Sequence, residues 1–261
     1  MYRINDIEQQ GRRLVADVED TLLRSGSASD RIQVLGHRGA PAPGIEENSV
    51  AAVTRALRQG ADGVEIDVWL TQDGTLVCAH DLLSVADRSS LATLPELLAA
   101  VLHAGGAQVV VEAKPVTDAA VAARTASAVA DVLRTFAGNA SVTVSSFDPA
   151  LLAMIRGTCA DLPVRTALLG DRSDSATVIV RRAHEDGHDE VHLPLSAVRR
   201  APQAVGSAHR LGLSVALWTV NGRSDLQWVA ELGVNAVITD DILTAWSELD
   251  RATAIQEMVA A

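Results

Sequence analysis

Aromatic residues are scarce in this chain: Phe, Trp and Tyr together make up 3% of its 261 residues. With 48% hydrophobic residues overall, a sizeable core is expected, built mostly from Ala, Val, Leu and Ile. Basic residues are also short, 22 against 33 acidic ones, for a formal net charge of −11. No basic stripe exists to displace counterions from a phosphate backbone, which excludes nucleic acid as a partner. A small anionic substrate stays admissible, because a metal ion and well-placed cations can invert a local potential. The two cysteines, Cys78 and Cys159, form no CxxC pair and read as small buried residues in a reduced compartment. No apolar run approaches the roughly 20 residues that span a bilayer, so stable membrane insertion is not expected. The N-terminus lacks the charged-then-apolar profile of a signal peptide, and a cytoplasmic protein is expected.

Residues 5–25 read as a leading helix. Asn5 can cap it, Asp6 and Glu8 suit its first turn, and Ile7, Leu14, Val18 and Leu22 recur at helical spacing. It would pack over one end of the main domain or form a homodimer contact. A Ser/Gly-rich linker over 25–30 then divides a helical extension, 1–30, from the main domain, 31–261. From residue 32, strand-like runs (32–35, 63–68, 108–113, 142–146, 164–169, 190–194, 214–220, 236–239) alternate with Ala-rich amphipathic segments (48–58, 94–103, 118–135, 149–157, 175–185, 201–211, 224–232, 242–257). Apolar strands each followed by a helix imply a parallel sheet covered on both faces. Eight repeats favour closure into an α/β (β/α)₈ TIM barrel over an open doubly wound sheet. One irregularity interrupts the alternation: Asp73-Gly74 between two extended runs signals a small β-hairpin inserted after strand 2. It would return His80 to the barrel mouth.

Side chains alternate along a strand, so Glu65 and Asp67 share one face. Two such carboxylates at a strand end need a positive partner, and oxygen donors suit a hard divalent cation, Mg²⁺ or Ca²⁺. Glu112, near the end of the third barrel strand, is the natural third ligand. Lys114 follows on the same face, placed to reach a substrate oxygen or to balance the acids. His37 and His80 adjoin the acid cluster, and imidazoles titrating near pH ~6.5 can act as base and acid at neutral pH. Arg38 beside His37 offers bidentate contact to phosphate. Glu47 and Asn48 follow it as candidate substrate contacts, although Asn48-Ser49 also suits a helix cap. Trp218 is placed to wall a pocket. His103, His184, His188, His192 and His209 read as structural.

In chain order, His37-Arg38-Gly39, Glu47-Asn48-Ser49, Gly60 to Val68, Thr71-Gln72-Asp73-Gly74 and His80-Asp81 resemble the glycerophosphodiester phosphodiesterase family. The likeness continues through Val111-Glu112-Ala113-Lys114, Ser145-Ser146-Phe147-Asp148, Trp218-Thr219-Val220-Asn221 and Gly233 to Asp240, covering about residues 32–245. The resemblance implies a TIM barrel that hydrolyses phosphodiesters such as glycerophosphocholine to glycerol 3-phosphate and an alcohol. It implies an acid–base pair in His37 and His80, one divalent ion on Glu65, Asp67 and Glu112, and phosphate contacts from Arg38 and Lys114. The nucleophile would be water, or the substrate's own neighbouring hydroxyl forming a cyclic phosphate first. The segment after His80-Asp81 is shorter than the family's usual one, which implies a more open mouth. An open mouth brings in an alternative, a phospholipase D-like enzyme of the same barrel acting on lysophospholipid or sphingomyelin-type head groups. A non-catalytic phosphate-binding barrel is the alternative from another class.

Overall fold

The computed structural model describes residues 31–81, 90–136 and 140–250. The expected N-terminal helix with its dimer contact, the segment 82–89 after His80-Asp81, and the end of the last helix lie outside the described residues. The elements below belong to the compact unit that starts at Gln33.

The strands run β1 (Gln33–His37), β2 (Gly63–Leu70), β3 (Leu76–Cys78), β4 (Gln108–Ala113), β5 (Ser141–Ser146), β6 (Val164–Leu169), β7 (Glu190–Pro194), β8 (Ser214–Trp218) and β9 (Ala236–Thr239). β1 pairs in parallel with both β2 and β9, so eight parallel strands close into the expected barrel. β3 folds back antiparallel on β2, with Val68 opposite Cys78 and Leu70 opposite Leu76, as the Asp73-Gly74 turn requires. The helices are α1 (Val50–Arg58), α2 (Leu94–His103), α3 (Ala119–Phe136), α4 (Pro149–Thr158), α5 (Ala176–Glu185), α6 (Leu195–Arg200), α7 (Gln203–Arg210) and α8 (Arg223–Leu232), followed by a helical stretch over 242–250. Among the described residues no helix is long and apolar enough to cross a membrane.

Alternation along the strands makes two apolar layers. Outward residues such as Val34, Ile66, Val111, Leu217 and Val237 are fully buried under the helices, whose inner faces carry Ala52, Ala56, Ala126 and Ala130. Inward residues Leu35, Val110, Ala216, Ala236 and Ile238 pack together inside the barrel. Each fully buried Val or Leu contributes about 1.5–3 kcal/mol, so aliphatic residues alone supply the core that scarce aromatics cannot. Close strand approach fixes one glycine: a Cβ on Gly63 would sit 2.1 Å from the Gln108 carbonyl oxygen. Both cysteines are free and buried.

Several element bounds differ from the sequence expectation. β1 runs on to His37 because β2 pairs with it as far as Glu65. β8 stops at Trp218, short of Val220. The short helix α6 precedes α7 as a separate piece, since Ala201 leaves helical geometry at φ −148° and Pro202 has no N–H to continue the ladder.

Candidate active site

The C-terminal ends of the strands surround an open cleft. His37, Glu65, Asp67, Glu112, Ser145, Leu169, His192 and Trp218 line it from seven different strands, all at inward-facing positions. Arg38, His80 and Lys114 reach the same cleft from just beyond strand ends. The expected acids, both expected histidines, Arg38, Lys114 and Trp218 are therefore brought together.

Register makes the acid cluster. Asp67 on β2 lies directly opposite Glu112 on β4, and Glu65 lies one inward step below Asp67. The three offer carboxylate oxygens within 4.8 Å of one another, all on buried residues. Lys114 Nζ bridges the upper pair, 2.6 Å from Asp67 Oδ1 and 2.6 Å from Glu112 Oε1. Burial, together with Asp67 and Glu112, pushes the Glu65 carboxyl well above its ordinary range. Burial likewise drives Glu112 up to about 7, with Asp67 adding to it and Lys114 opposing. Asp67 goes the other way: burial would raise it, but Lys114, Asn48 and Arg38 hold it low. Three buried acids around one ammonium leave uncompensated charge, and an all-oxygen donor set of this kind fits Mg²⁺ or Ca²⁺.

A left-handed turn shapes the cation side. Arg38 has φ 55° and Gly39 φ 83°, an arrangement that β-region residues could not make. It aims the Arg38 backbone N–H at Glu65 Oε2 (3.0 Å) and brings Nε to 3.5 Å from Asp67 Oδ2. Glu47 Oε2 accepts from Arg38 Nη1 at 2.8 Å, so Glu47 touches the guanidinium at the exposed rim. Asn48 is buried and spends both ends of its amide on Asp67: Nδ2 donates to Oδ2 at 2.8 Å, and Oδ1 accepts the Asp67 N–H at 2.9 Å. The helix cap falls to Ser49, whose Oγ accepts the Ala52 N–H at 3.1 Å.

Two residues outside the expected set govern His37. Asp240, just past β9, accepts from His37 Nδ1 at 2.7 Å. Asn221 holds that carboxylate through Nδ2 to Asp240 Oδ2 at 2.6 Å and accepts the Asp240 N–H at 2.9 Å. The His37 and Asn221 hydrogen bonds keep Asp240 below the usual carboxylate range despite partial burial. As an acceptor it fixes the proton on Nδ1, leaving Nε2 as the nitrogen for proton exchange. The sequence places Asp240 and His37 203 residues apart, and only barrel closure joins them. On the hairpin, burial with Lys114 and Arg38 nearby pushes His80 below its ordinary pKa. Trp69 Nε1 donates to the His80 carbonyl at 3.4 Å and so braces the hairpin end. Opposite the acids, Phe147 meets Trp218 edge-on with centroids 5.7 Å apart, and Arg172 lies 5.9 Å over the Trp218 ring.

A family model described as the glycerophosphoryl diester phosphodiesterase family matches residues 37–99 and 84–244. The chain belongs to that family. A glycerophosphodiester phosphodiesterase of Caldanaerobacter subterraneus is 52% identical over 48 residues, 18% of this chain and 19% of that relative's length. A glycerophosphodiester phosphodiesterase structure from Parabacteroides distasonis superposes with a TM-score of 0.71 at 20% identity, covering 90% of this chain and all of that one. An Oleispira antarctica phosphodiesterase, solved with the product sn-glycerol-3-phosphate, superposes at 0.70 with 23% identity over 84% of this chain and 96% of that one. These neighbours share the barrel fold along nearly their whole length.

Proposed function

We propose that this chain hydrolyses glycerophosphodiesters to glycerol 3-phosphate and an alcohol. The observation that carries the reading is the buried triad Glu65, Asp67 and Glu112, gathered in one cleft with two histidines and two cations. The product bound by the Oleispira antarctica relative supplies the substrate class. Glu65, Asp67 and Glu112 would hold one divalent ion, with Asn48 orienting Asp67. When bound, the ion neutralises phosphoryl oxygens and stabilises the charge that develops on them. Arg38 and Lys114 grip the phosphate, and Glu47 steadies the Arg38 guanidinium. Of the two histidines, one takes the proton of the nucleophile and the other gives a proton to the departing alkoxide. Asp240 keeps His37 in the tautomer that presents Nε2. Trp218 walls the side where the organic part of the substrate lies.

The test is hydrolysis by metal-stripped protein, with Mg²⁺ or Ca²⁺ added back, on glycerophosphocholine and a lysophospholipid in parallel. Turnover restored by the ion, with glycerol 3-phosphate as product, is the expected result. Preference for the lysophospholipid would move the assignment to the head-group rival. Binding of glycerol 3-phosphate without turnover of either would leave a binding barrel.

A further inference from the structure

The barrel interior holds a second polar cluster on the side away from the acids. Glu190 and His192, two residues apart on β7, share its inward face and are 4% and 0% exposed. Glu190 Oε1 accepts from Thr143 Oγ1 at 2.8 Å and pairs with Arg165 Nη2 at 2.6 Å. Its other oxygen meets His192 Nε2 at 3.1 Å. Burial would raise the Glu190 carboxyl, but His192, Arg165 and Thr143 together hold it below its ordinary range. An ionised Glu190 can only accept, so the neutral imidazole carries its proton on Nε2 and its lone pair on Nδ1. The ring lines the cleft, yet Nδ1 has no partner among the described residues.

Burying a polar atom without a partner is costly, and a ligand group entering the cleft can supply that partner. A lone pair selects what that partner is. It accepts a hydroxyl proton and repels an ester or phosphoryl oxygen. The groups suited to phosphate, Arg38 and Lys114, lie with the acids around β1, β2 and β4, whereas His192 lies on β7 beside the Trp218 strand. We infer that His192 Nδ1 is a specificity-determining acceptor that reads a hydroxyl of the substrate's polyol portion. Glu190 sets its tautomer, and Thr143 and Arg165 fix Glu190. The inference rests on the proposed glycerophosphodiester reading for the identity of that polyol.

The experiment is calorimetric binding of glycerol 3-phosphate, n-propyl phosphate and inorganic phosphate, with Mg²⁺ present, to the wild type and His192→Gln. Glutamine can still donate to Glu190 but has no atom at the Nδ1 position. Wild type is expected to bind glycerol 3-phosphate about 10-fold more tightly than n-propyl phosphate, the effect of one hydrogen bond. In His192→Gln that preference disappears while inorganic phosphate binds as before. Equal affinity of the wild type for the two esters would overturn the inference, and that arm needs no variant. Uniform weakening of all three ligands by the substitution would also overturn it, as a structural effect. Absence of glycerophosphocholine turnover with the binding contrast intact would sink the proposed activity alone.

Discussion

Two groups of acids are buried in the same barrel, and they are compensated in opposite ways. On β7, Glu190 has Thr143, Arg165 and His192 arranged around one carboxylate, and its pKa falls. On β2 and β4, three carboxylates share Lys114 and part of Arg38, and two of the three are pushed up. Burial penalises the charged form in both places. The difference lies in the ratio of donors to acids: the Glu190 carboxylate is matched on both oxygens within the protein, and the β2–β4 cluster is short of positive charge. The second arrangement is a donor set that could hold a cation, whereas the first orients an imidazole.

The largest effects come from breaking the deficient cluster and its histidines. Asp67→Asn or His80→Ala is expected to lower kcat by about 10²–10⁴-fold with circular dichroism unchanged. Near-normal turnover in either variant would remove that residue from the mechanism. The contrast itself is tested on stability. Glu190→Gln should destabilise by roughly 2–3 kcal/mol, less than a fully buried pair because the Arg165 side chain is 45% exposed. Glu112→Gln should instead raise the melting temperature of metal-free protein at pH 8 by a few degrees, since it removes a charge the site disfavours. Both variants shifting the same way would erase the distinction.

The pH dependence follows from the same sign. Glu190 has a folded pKa below its unfolded value of about 4.3, so its contribution is fully present above that pH. That contribution is lost as pH falls through the folded value. Thermal scans of wild type should therefore show an acid limb that is shallower in Glu190→Gln. Next in size, Asp240→Asn is expected to cost about 10–100-fold in kcat, the range of a charge-assisted hydrogen bond, and to displace the pH–rate profile. A loss with an unmoved profile would make Asp240 merely structural. The smallest effect belongs to Glu47→Gln at the exposed rim, where kcat/KM should change by less than about 5-fold; a larger loss would mean that Glu47 meets the substrate directly.

Much of this was legible because short-range rules apply. Period-two alternation put Glu65 and Asp67 on one face, and Asp73-Gly74 announced the hairpin that brings His80 back to the cleft. The same alternation was present in Glu190-Val191-His192, yet a histidine on a short buried strand reads as packing until its neighbours are known. Asn48 shows the limit in another way: its residue type suggested a substrate contact or a cap, and its own left-handed backbone at φ 53° goes with an amide bonded at both ends to Asp67.

By itself the sequence determined the element order, the closed α/β architecture and the short-range donors of the site, since propensity and periodicity act over a few residues. Tertiary structure alone decided the pairing of His37 with Asp240, the opposition of Asp67 and Glu112, and the unmet nitrogen of His192. Those depend on strand register and barrel closure, which join residues far apart in the chain and set how much charge each buried group must share.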